Sequence, residues 1–162
     1  MYLGHILTNN DLFTIPESWL ILDTCSTCNV AKNPNFVIHI KECKTDERLT
    51  AYCNGGKQKY NLIAKLILFP IDVHFKHDSM ANIVSMKTVT GIGGVRVTMD
   101  KARDENIVVT LADGRIFEFK LYSNRLYYFN TKSVTNNVKS KETVTNYSLI
   151  QTVQDNKSHF TV

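Results

Sequence analysis

The sequence predicts an all-β domain with one short helix, and three observations favour this class. Between residues 19 and 128, short apolar and β-branched runs alternate with turn residues, which is typical of strands. Asp113-Gly114 and Asn54-Gly55-Gly56 each separate two such runs and indicate tight hairpins, because the central positions of these turns need positive φ. With 162 residues, 43% of them hydrophobic and 21% charged, the chain has the composition of one globular domain.

Eight apolar runs, each bounded by turn-forming or polar residues, are predicted to be strands. In chain order they cover residues 19–23, 49–53, 59–68, 71–75, 95–99, 107–111, 115–120 and 126–129. Asn54-Gly55-Gly56 follows the second strand and leads to the strand near Tyr60, and Asp113-Gly114 joins the sixth strand to the seventh. Strands are therefore predicted to be the main structural element of the chain.

One helix is predicted, over residues 81–90, because apolar residues recur there at partly helical spacing. These residues are Ile83, Val84, Met86 and Val89. Gly91 is expected to end the helix in a left-handed conformation. The run Gly91-Ile92-Gly93-Gly94 lacks the Lys-Ser/Thr of a phosphate-binding loop and follows a helix instead of a strand, so it is interpreted as the helix end.

Composition divides the chain into four segments. Residues 1–18 form a lead-in, and residues 19–130 form the predicted β-domain. Residues 131–146 are rich in Ser, Thr, Asn and Lys and bury too little apolar area to offset chain entropy, so they are predicted to be a flexible linker. Residues 147–162 regain apolar periodicity and are predicted to begin the helix of a following segment.

Charge and hydropathy argue against two classes of partner. The net charge is +4, but the predicted linker holds +2 of it, from three lysines and Glu142. No basic run is interleaved with aromatic residues, so we expect no direct nucleic-acid binding. The longest apolar run, residues 62–75, is interrupted by charged residues and a proline and is too short to span a membrane. Because residues 1–5 lack the features of a secretory signal, we expect a cytoplasmic protein without a membrane partner.

The four cysteines, Cys25, Cys28, Cys43 and Cys53, fall within one short region. An intracellular chain is expected to keep them reduced, which disfavours disulfides. Cys25 and Cys28 have the C-x₂-C spacing of a zinc knuckle, but Cys43 and Cys53 do not form a second such pair. A zinc-stabilised module built on Cys25 and Cys28 stays an alternative hypothesis, while we expect no metal and no cofactor.

Asp23 is the candidate catalytic residue, because it directly follows the aliphatic residues of a predicted buried strand. Thr24, Cys25 and Ser26 come next and are expected to form a turn lined by small side chains. Two carboxylates brought together at such a place share one proton and act as base and acid. The alternative interpretation is an Asp that caps a turn through its carboxylate, which is common in Asp-Thr turns.

Five segments carry a resemblance to a known family. Residues 15–27 contain Ile-Pro and then Trp-Leu-Ile-Leu-Asp-Thr-Cys-Ser-Thr, which look like an active-site entry whose usual form is Asp-Ser/Thr-Gly-Ala/Ser. Asn54-Gly55-Gly56 lies at a flap position, and residues 80–86 resemble an Asn-Leu-Leu-Ser segment before a helix. Residues 126–129 look like a closing Leu-Tyr motif, and residues 152–161 resemble the lead into a pre-integrase part. In this order and spacing, they resemble the protease region of copia-type retrotransposon polyproteins, which is similar to retroviral aspartic proteases.

The resemblance implies a retropepsin-like single lobe that is active as a homodimer, with one catalytic Asp from each copy at the two-fold axis. It implies an aspartic endopeptidase that cuts its own Gag-Pol-like polyprotein, in the cytoplasm or within virus-like particles, without a cofactor. A hairpin flap would fold over the extended peptide. The residues it assigns are Asp23 as the catalytic residue, Thr24, Cys25 and Ser26 as loop support, and Asn54, Gly55 and Gly56 as the flap.

Cys25 departs from the family, in which this position is nearly always Gly. The glycine allows a tight backbone path near the substrate, and a side chain forced to positive φ would cost about 1–3 kcal/mol of strain. The departure favours a second hypothesis, a catalytically inactive domain of the same fold that dimerises or binds an extended peptide by strand addition. A thiolate nucleophile at Cys25 is not expected, since none of the histidines lies at a spacing that would make it the base.

Overall fold

The computed structural model describes residues 14–53, 56–102, 104–123 and 126–132 of the chain. These residues form twelve strands, two short 3₁₀ turns and one α-helix, so the prediction of an all-β fold with one short helix is confirmed. In chain order the strands are β1 (Trp19–Asp23), β2 (Val30–Ala31), β3 (Val37–Glu42), β4 (Leu49–Cys53), β5 (Gly56–Tyr60), β6 (Leu62–Leu66), β7 (Asp72–Phe75), β8 (Asn82–Ser85), β9 (Arg96–Met99), β10 (Ile107–Thr110), β11 (Ile116–Tyr122) and β12 (Leu126–Asn130). The helix α1 (Met86–Thr90) directly follows β8, and the 3₁₀ turns are Pro34–Phe36 and Thr45–Glu47.

Strand β1 lies near the centre of a ten-stranded sheet with the order β3-β6-β7-β2-β8-β1-β12-β11-β10-β9. It pairs in parallel with β8 on one side and antiparallel with β12 on the other. Strands β4 and β5 form a separate hairpin. Because β1 has a neighbour on each edge and a layer on each face, all its residues after Trp19 are buried.

Two apolar clusters cover the opposite faces of β1. Leu20 and Leu22 belong to the larger cluster and Ile21 to the smaller one, as expected from the alternation of side chains along a strand. We call the smaller one the hairpin-side cluster, because Leu49 and Tyr60 of the β4–β5 hairpin pack in it. Its buried residues are Ile15, Ile21, Cys28, Val30, Leu49, Ala51, Tyr60, Ala81, Ile83 and Leu126. The hairpin therefore covers the face of the sheet to which Ile21 points.

Most of the predicted strands are present. The predicted strands 19–23 and 49–53 are confirmed with unchanged bounds as β1 and β4, and β7 and β9 to β12 differ from prediction by one or two residues at their ends. The predicted strand 59–68 is wrong as a single element, because the chain turns at Asn61 and the two halves pair in different sheets. Strands β2, β3 and β8 have no counterpart in the prediction.

The helix predicted over residues 81–90 is wrong in its first half. Strand β8 occupies that half, with every residue buried, and only α1 is helical. Ile83 and Val84 are adjacent β-branched residues whose side chains enter opposite clusters, which a strand allows and a single helical face does not. Gly91 also differs from expectation, since its φ of −81° and ψ of −8° are right-handed. The glycine with positive φ in this segment is Gly94, at 72°.

The two predicted hairpins are present in the sheet pairings. Cys53 pairs with Gly56 at the end of the β4–β5 hairpin, and Gly56 has a φ of 111°. Gly114 has a φ of 89° in the turn between β10 and β11. Asn54 and Gly55, the other two residues predicted for the first turn, lie outside the described residues.

Strands β1 and β12 lie side by side at the point where the chain enters and leaves the sheet. Trp19 pairs with Asn130 in their antiparallel register. Beyond this pair, both the N–H and the hydroxyl of Thr131 donate to the Ser18 carbonyl, each at 3.1 Å. The two ends of the sheet domain are therefore adjacent and hydrogen-bonded.

Part of the predicted segmentation falls beyond the described ranges. Residues 1–13 of the lead-in, residues 133–146 of the predicted linker and the predicted helical segment 147–162 lie outside the described residues. None of the helices in the described part of the chain has the length and apolar character needed to cross a bilayer.

Candidate active site

Asp23 ends strand β1 and is buried, with 9% of its surface exposed. The N–H of Cys25 donates to its Oδ1 at 2.8 Å, a contact typical of a turn capped by Asp. Its Oδ2 is also buried and has no hydrogen-bond partner among the described residues. Buried polar atoms are normally paired, because an unpaired one costs about 1–3 kcal/mol or more. Asp23 therefore caps the turn with Oδ1, and its Oδ2 is buried without a hydrogen-bond partner among the described residues.

The Asp23 side chain lies on the hairpin side of the sheet. Alternation along β1 places it on the same face as Ile21, which belongs to the hairpin-side cluster. Its register partner in the parallel strand β8 is Ser85. Extending the β1–β12 register by one residue places Leu126 opposite Asp23, and Leu126 belongs to the same cluster. The carboxylate thus lies between β8 and β12 on the side that the β4–β5 hairpin covers.

Thr24 and Cys25, predicted as loop support, are the exposed part of the loop after β1. The Thr24 Oγ1 lies 3.8 Å from the Cys25 Sγ. The non-glycine residues with positive φ in the described chain are His39, Glu105 and Ser123. Cys25 is not one of them, so this loop does not force its side chain into left-handed strain.

Ser26, the third predicted loop-support residue, is buried inside the loop. Its Oγ donates to the Cys28 carbonyl at 2.9 Å and accepts from the Cys28 N–H at 3.2 Å. These bonds close a compact turn and keep the buried Cys28 thiol 3.7 Å from the same Oγ. Burial raises the pKa of the Cys28 thiol above its ordinary value and outweighs the opposing effect of the Ser26 hydrogen bond.

Ser85 and Asn29 hold this loop to the end of β8, and neither was predicted from the sequence to be a site residue. The Ser85 hydroxyl donates to the Ser26 carbonyl at 2.6 Å, and the Ser85 N–H donates to Asn29 Oδ1 at 2.8 Å. The Asn29 Nδ2 donates in turn to Thr88 Oγ1 in α1, at 3.1 Å. One signal for Ser85 was its place in residues 80–86, the segment that resembles the family motif before a helix. Asn29 carried no comparable signal.

Asn82 fixes the entry to β1 while being 0% exposed. Its Oδ1 accepts from the N–H groups of Lys32 and Asn33, both at 2.9 Å. Its Nδ2 donates to the carbonyls of Glu17, at 2.9 Å, and Trp19, at 3.0 Å. These bonds use both donors and both acceptor positions of the amide. Asn82 therefore joins the segment that leads into β1 and the segment that follows β2 to strand β8.

The zinc alternative lacks a set of ligands in the described residues. Cys25 is exposed, while Cys28 and Cys43 are buried. Within the described ranges, no three His, Cys, Asp or Glu side chains are grouped closely enough to hold a metal ion. The Cys28 thiol is in addition packed against the Ser26 hydroxyl. The described part of the chain therefore gives the zinc-module hypothesis no support.

The β4–β5 hairpin carries the position predicted for a flap. Gly56 begins β5 and is exposed; the other two predicted flap residues lie outside the described ranges. The base of the hairpin is held to the rest of the domain, because the Tyr60 hydroxyl is hydrogen-bonded to the Ser79 hydroxyl at 2.8 Å. The same hydroxyl donates to Gln58 Oε1 within β5, also at 2.8 Å. The hairpin is thus anchored at its base and exposed near its turn.

Three aromatic side chains lie on the face of the sheet that carries Asp23. Trp19 stacks on Tyr128 with ring centroids 3.8 Å apart, and Tyr122 packs edge-on against Trp19 at 5.6 Å. Alternation along β1 places Trp19 on the same face as Asp23, and Tyr128 pairs with Ile21 on that face. Trp19 and Tyr128 are half-buried, and Tyr122 is 36% exposed. They leave a partly exposed aromatic surface on the side of the carboxylate.

Comparison with protein-family models, with curated proteins and with solved structures found no match for this chain. The interpretation of the site therefore depends on its own geometry. A buried carboxylate oxygen without a partner can accept a hydrogen bond from water or from a second carboxyl group. Paired with a second carboxyl group, Asp23 would form an acid–base dyad.

Proposed function

We propose that this chain is an aspartic endopeptidase of the retropepsin type, which acts as a homodimer on extended polypeptides and above all on its own polyprotein. The observation that supports this most directly is the buried Asp23 Oδ2 without a partner in the described residues. A buried polar atom normally has a hydrogen-bond partner, and the carboxyl group of a second Asp23 would supply one to this oxygen. The position of Asp23 on the side covered by a hairpin adds to this support.

A second copy of the chain supplies the missing group in this proposal. Each copy contributes one Asp23, and a two-fold axis brings the two carboxyl groups together. Two carboxylates a few ångströms apart do not both ionise readily, so they hold one proton between them. Thr24 is exposed next to Asp23 and is available to contact the second copy. The site is then incomplete in one chain and complete in two.

The dyad hydrolyses a peptide bond with water as the nucleophile. The ionised Asp23 takes a proton from the water while the water oxygen forms a bond to the carbonyl carbon. The protonated Asp23 of the second copy gives its proton to the carbonyl oxygen. The C–N bond of the resulting diol then breaks, the amine nitrogen takes the proton from the first carboxyl group, and a diol hydroxyl returns a proton to the second. The dyad ends as it began, with one shared proton.

The β4–β5 hairpin holds the substrate in this proposal. Its base is anchored through Tyr60 and Ser79, and Gly56 near its turn is exposed. An extended peptide beneath it can form main-chain hydrogen bonds with a strand edge, which binds many sequences in one register. The aromatic surface of Trp19 and Tyr128 contributes apolar contacts. The cytoplasm, or a virus-like particle within it, is the proposed location.

Cleavage of a peptide library between about pH 4 and 7, where shared-proton dyads work, tests the peptidase proposal. We expect the wild type to cut and Asp23→Asn, which keeps the shape and the turn cap, to cut at least about 10³-fold more slowly. Asp100→Asn is the matched control, because Asp100 Oδ1 accepts the Ala102 N–H at 3.1 Å in the same type of turn but is exposed and outside the site. Undiminished cleavage by Asp23→Asn, or an equal loss in Asp100→Asn, contradicts the proposal.

The second candidate function is a catalytically inactive domain of the same fold that dimerises or binds an extended peptide by strand addition. The presence of Cys25 at the position of the family's glycine favours it. Wild type and Asp23→Asn would then bind peptides with equal affinity, and neither would cleave them. Replacing Cys25 by glycine would not produce cleavage either. Cleavage that depends on Asp23 excludes this alternative.

A further inference from the structure

Ser85 is the register partner of Asp23 in β8 and is 0% exposed. We infer that Ser85 is a positioning residue for the Asp23 site, which holds the loop after β1 so that the carboxylate keeps one orientation. This inference rests on the proposed peptidase function and adds a residue to it.

The hydroxyl of Ser85 binds a residue that is far away in the sequence and does not cap the helix that follows it. Ser85 occupies the N-cap position of α1, but its side chain makes no capping hydrogen bond. Serine is favoured at this position because its Oγ accepts an N–H of the first helical turn. Here the hydroxyl donates instead to the Ser26 carbonyl, 59 residues away in the sequence. A local preference that is overridden in this way is typical of residues that serve a site.

Ser85 holds the loop at two points. Its hydroxyl binds Ser26 and its N–H binds Asn29, and both of these residues belong to the loop that begins after Asp23. Among the described residues, the Asp23 carboxylate is held by the Cys25 N–H alone. Cys25 directly precedes Ser26, so a movement of the Ser26 carbonyl moves the N–H that orients the carboxylate. Ser85 therefore acts on Asp23 through Ser26 and Cys25.

Removal of the hydroxyl should lower the rate of the chemical step. Ser85→Ala leaves the Ser26 carbonyl buried without its donor, and the loop shifts to relieve this. We expect kcat to fall about 10- to 100-fold with KM changed less than about twofold, because the carboxylate is misoriented while the hairpin that binds peptide is intact. A purely structural role for Ser85 would not separate kcat from KM in this way.

The rate at which the Cys28 thiol is alkylated measures how often the loop opens, and this measurement needs no activity assay. Cys28 is buried and bonded to Ser26 through both its N–H and its carbonyl. We expect native-state alkylation of Cys28 by iodoacetamide to be at least about tenfold faster in Ser85→Ala, because the loop opens locally. Cys43 is also buried, outside this loop, and serves as the internal reference whose rate should stay unchanged. Mass spectrometry of the labelled peptides assigns each thiol.

Val109→Ala is the control for lost stability. Val109 is 0% exposed in β10, which is separated from β1 by two strands in the sheet order. Its truncation lowers the stability of the fold as a buried large-to-small change does, without a contact in the loop. It should therefore change neither Cys28 labelling nor kcat at temperatures at which the protein stays folded.

Three results decide the inference. Faster Cys28 labelling together with a lower kcat at unchanged KM in Ser85→Ala, with neither in Val109→Ala, supports it. Unchanged Cys28 labelling, or the same changes in both variants, overturns it. If the wild type cleaves no peptide, the proposed function fails, and Cys28 labelling alone decides whether Ser85 orders the loop.

Discussion

The Cys25 side chain is exposed to solvent while its N–H holds the buried carboxylate of Asp23. Its φ is not positive, so the loop does not depend on the conformational freedom of glycine at this residue. The single chain therefore accommodates the cysteine. In the proposed dimer, the space between the two copies near Cys25 would decide whether the cysteine affects activity.

Replacement of Cys25 by glycine tests this conclusion. We expect Cys25→Gly to destabilise the fold by about 0.5–1 kcal/mol, because glycine raises the entropy of the unfolded chain and relieves no strain here. Urea denaturation followed by the fluorescence of Trp19, the only tryptophan, measures the change. A variant more stable than the wild type would show that the cysteine is strained, contrary to this expectation.

We expect the Cys28 thiol to make the free energy of unfolding depend on pH in the alkaline range. Burial raises its pKa, so the folded state disfavours the thiolate. This contribution to stability is complete below the pKa of the thiol in the unfolded chain and is lost as pH rises through the higher folded value. We expect the free energy of unfolding to fall above about pH 8 in the wild type and to fall less steeply in Cys28→Ala.

Urea denaturation at a series of pH values from 7 to about 10 measures this slope. Burial also raises the pKa of Cys43, so Cys28→Ala should keep part of the dependence. Cys43→Ala is the matched variant. It should reduce the slope of the free energy of unfolding against pH independently of the change in Cys28→Ala. Identical slopes in the wild type and Cys28→Ala would contradict the assignment to Cys28.

At the level of elements, β8 shows where sequence patterns fail. Strands β1 and β4 are predictable because turn residues bound each apolar run. Strand β8 runs into α1 without a break, so one ten-residue window holds both elements and its apolar spacing suggests a single helix. The pairing of β8 with β1, a contact between distant parts of the chain, decides its structure. No local pattern encodes that pairing.

Strand β3 was missed for a different reason. Its register with β6 shifts between Ile38 and Lys41, and His39 within it has a φ of 55°. Such a bulge disturbs the regular pairing of the strand with its neighbour, which a sequence pattern does not reveal. As an edge strand of the sheet, β3 also carries more exposed residues than the central strands. The run Val37-Ile38-His39-Ile40 is nevertheless rich in β-branched residues, so a local signal for this strand was present in the sequence.

The candidate site was predictable only where its residues are close together in the sequence. Asp23, Thr24 and Ser26 follow one another closely after a buried strand, so one motif identifies them. Ser85 and Asn82 reach the same region from more than 45 residues further along the chain, through hydrogen bonds to the loop and to the strand entry. Their roles depend on the parallel pairing of β1 and β8, which sequence spacing does not specify.

Asn82 is the residue on which the junction of these elements depends. We expect Asn82→Ala to destabilise the fold by about 3–5 kcal/mol, because it leaves two N–H groups and two carbonyls without their buried partner. Asn106→Ala is the control, since Asn106 makes an exposed hydrogen bond to Glu118 at 2.7 Å and should cost less than about 0.5 kcal/mol. Chemical denaturation measures both; similar losses in the two variants would contradict the role assigned to Asn82.

For the whole molecule, the proposed dyad requires that activity depend on association. Each chain has one Asp23, so we expect the rate per chain to rise with protein concentration and to level off when dimers predominate. Analytical ultracentrifugation over the same range should show the monomer–dimer transition at matching concentrations. A protein that cleaves peptides at a constant rate per chain, or that stays monomeric at the highest concentration, would contradict a dyad shared between two copies.

The hydrogen bonds of Thr131 to Ser18 have a further consequence for the molecule as a unit. Strands β1 and β12 are adjacent and antiparallel without a direct connection, so a short peptide that joins Lys132 to Thr14 would close residues 14–132 into a ring. New termini could then be opened at the exposed turn between β10 and β11. For the same reason, a host polypeptide could carry this domain as an insert in a surface loop, since Ser18 and Thr131 at the two ends of the sheet domain are hydrogen-bonded.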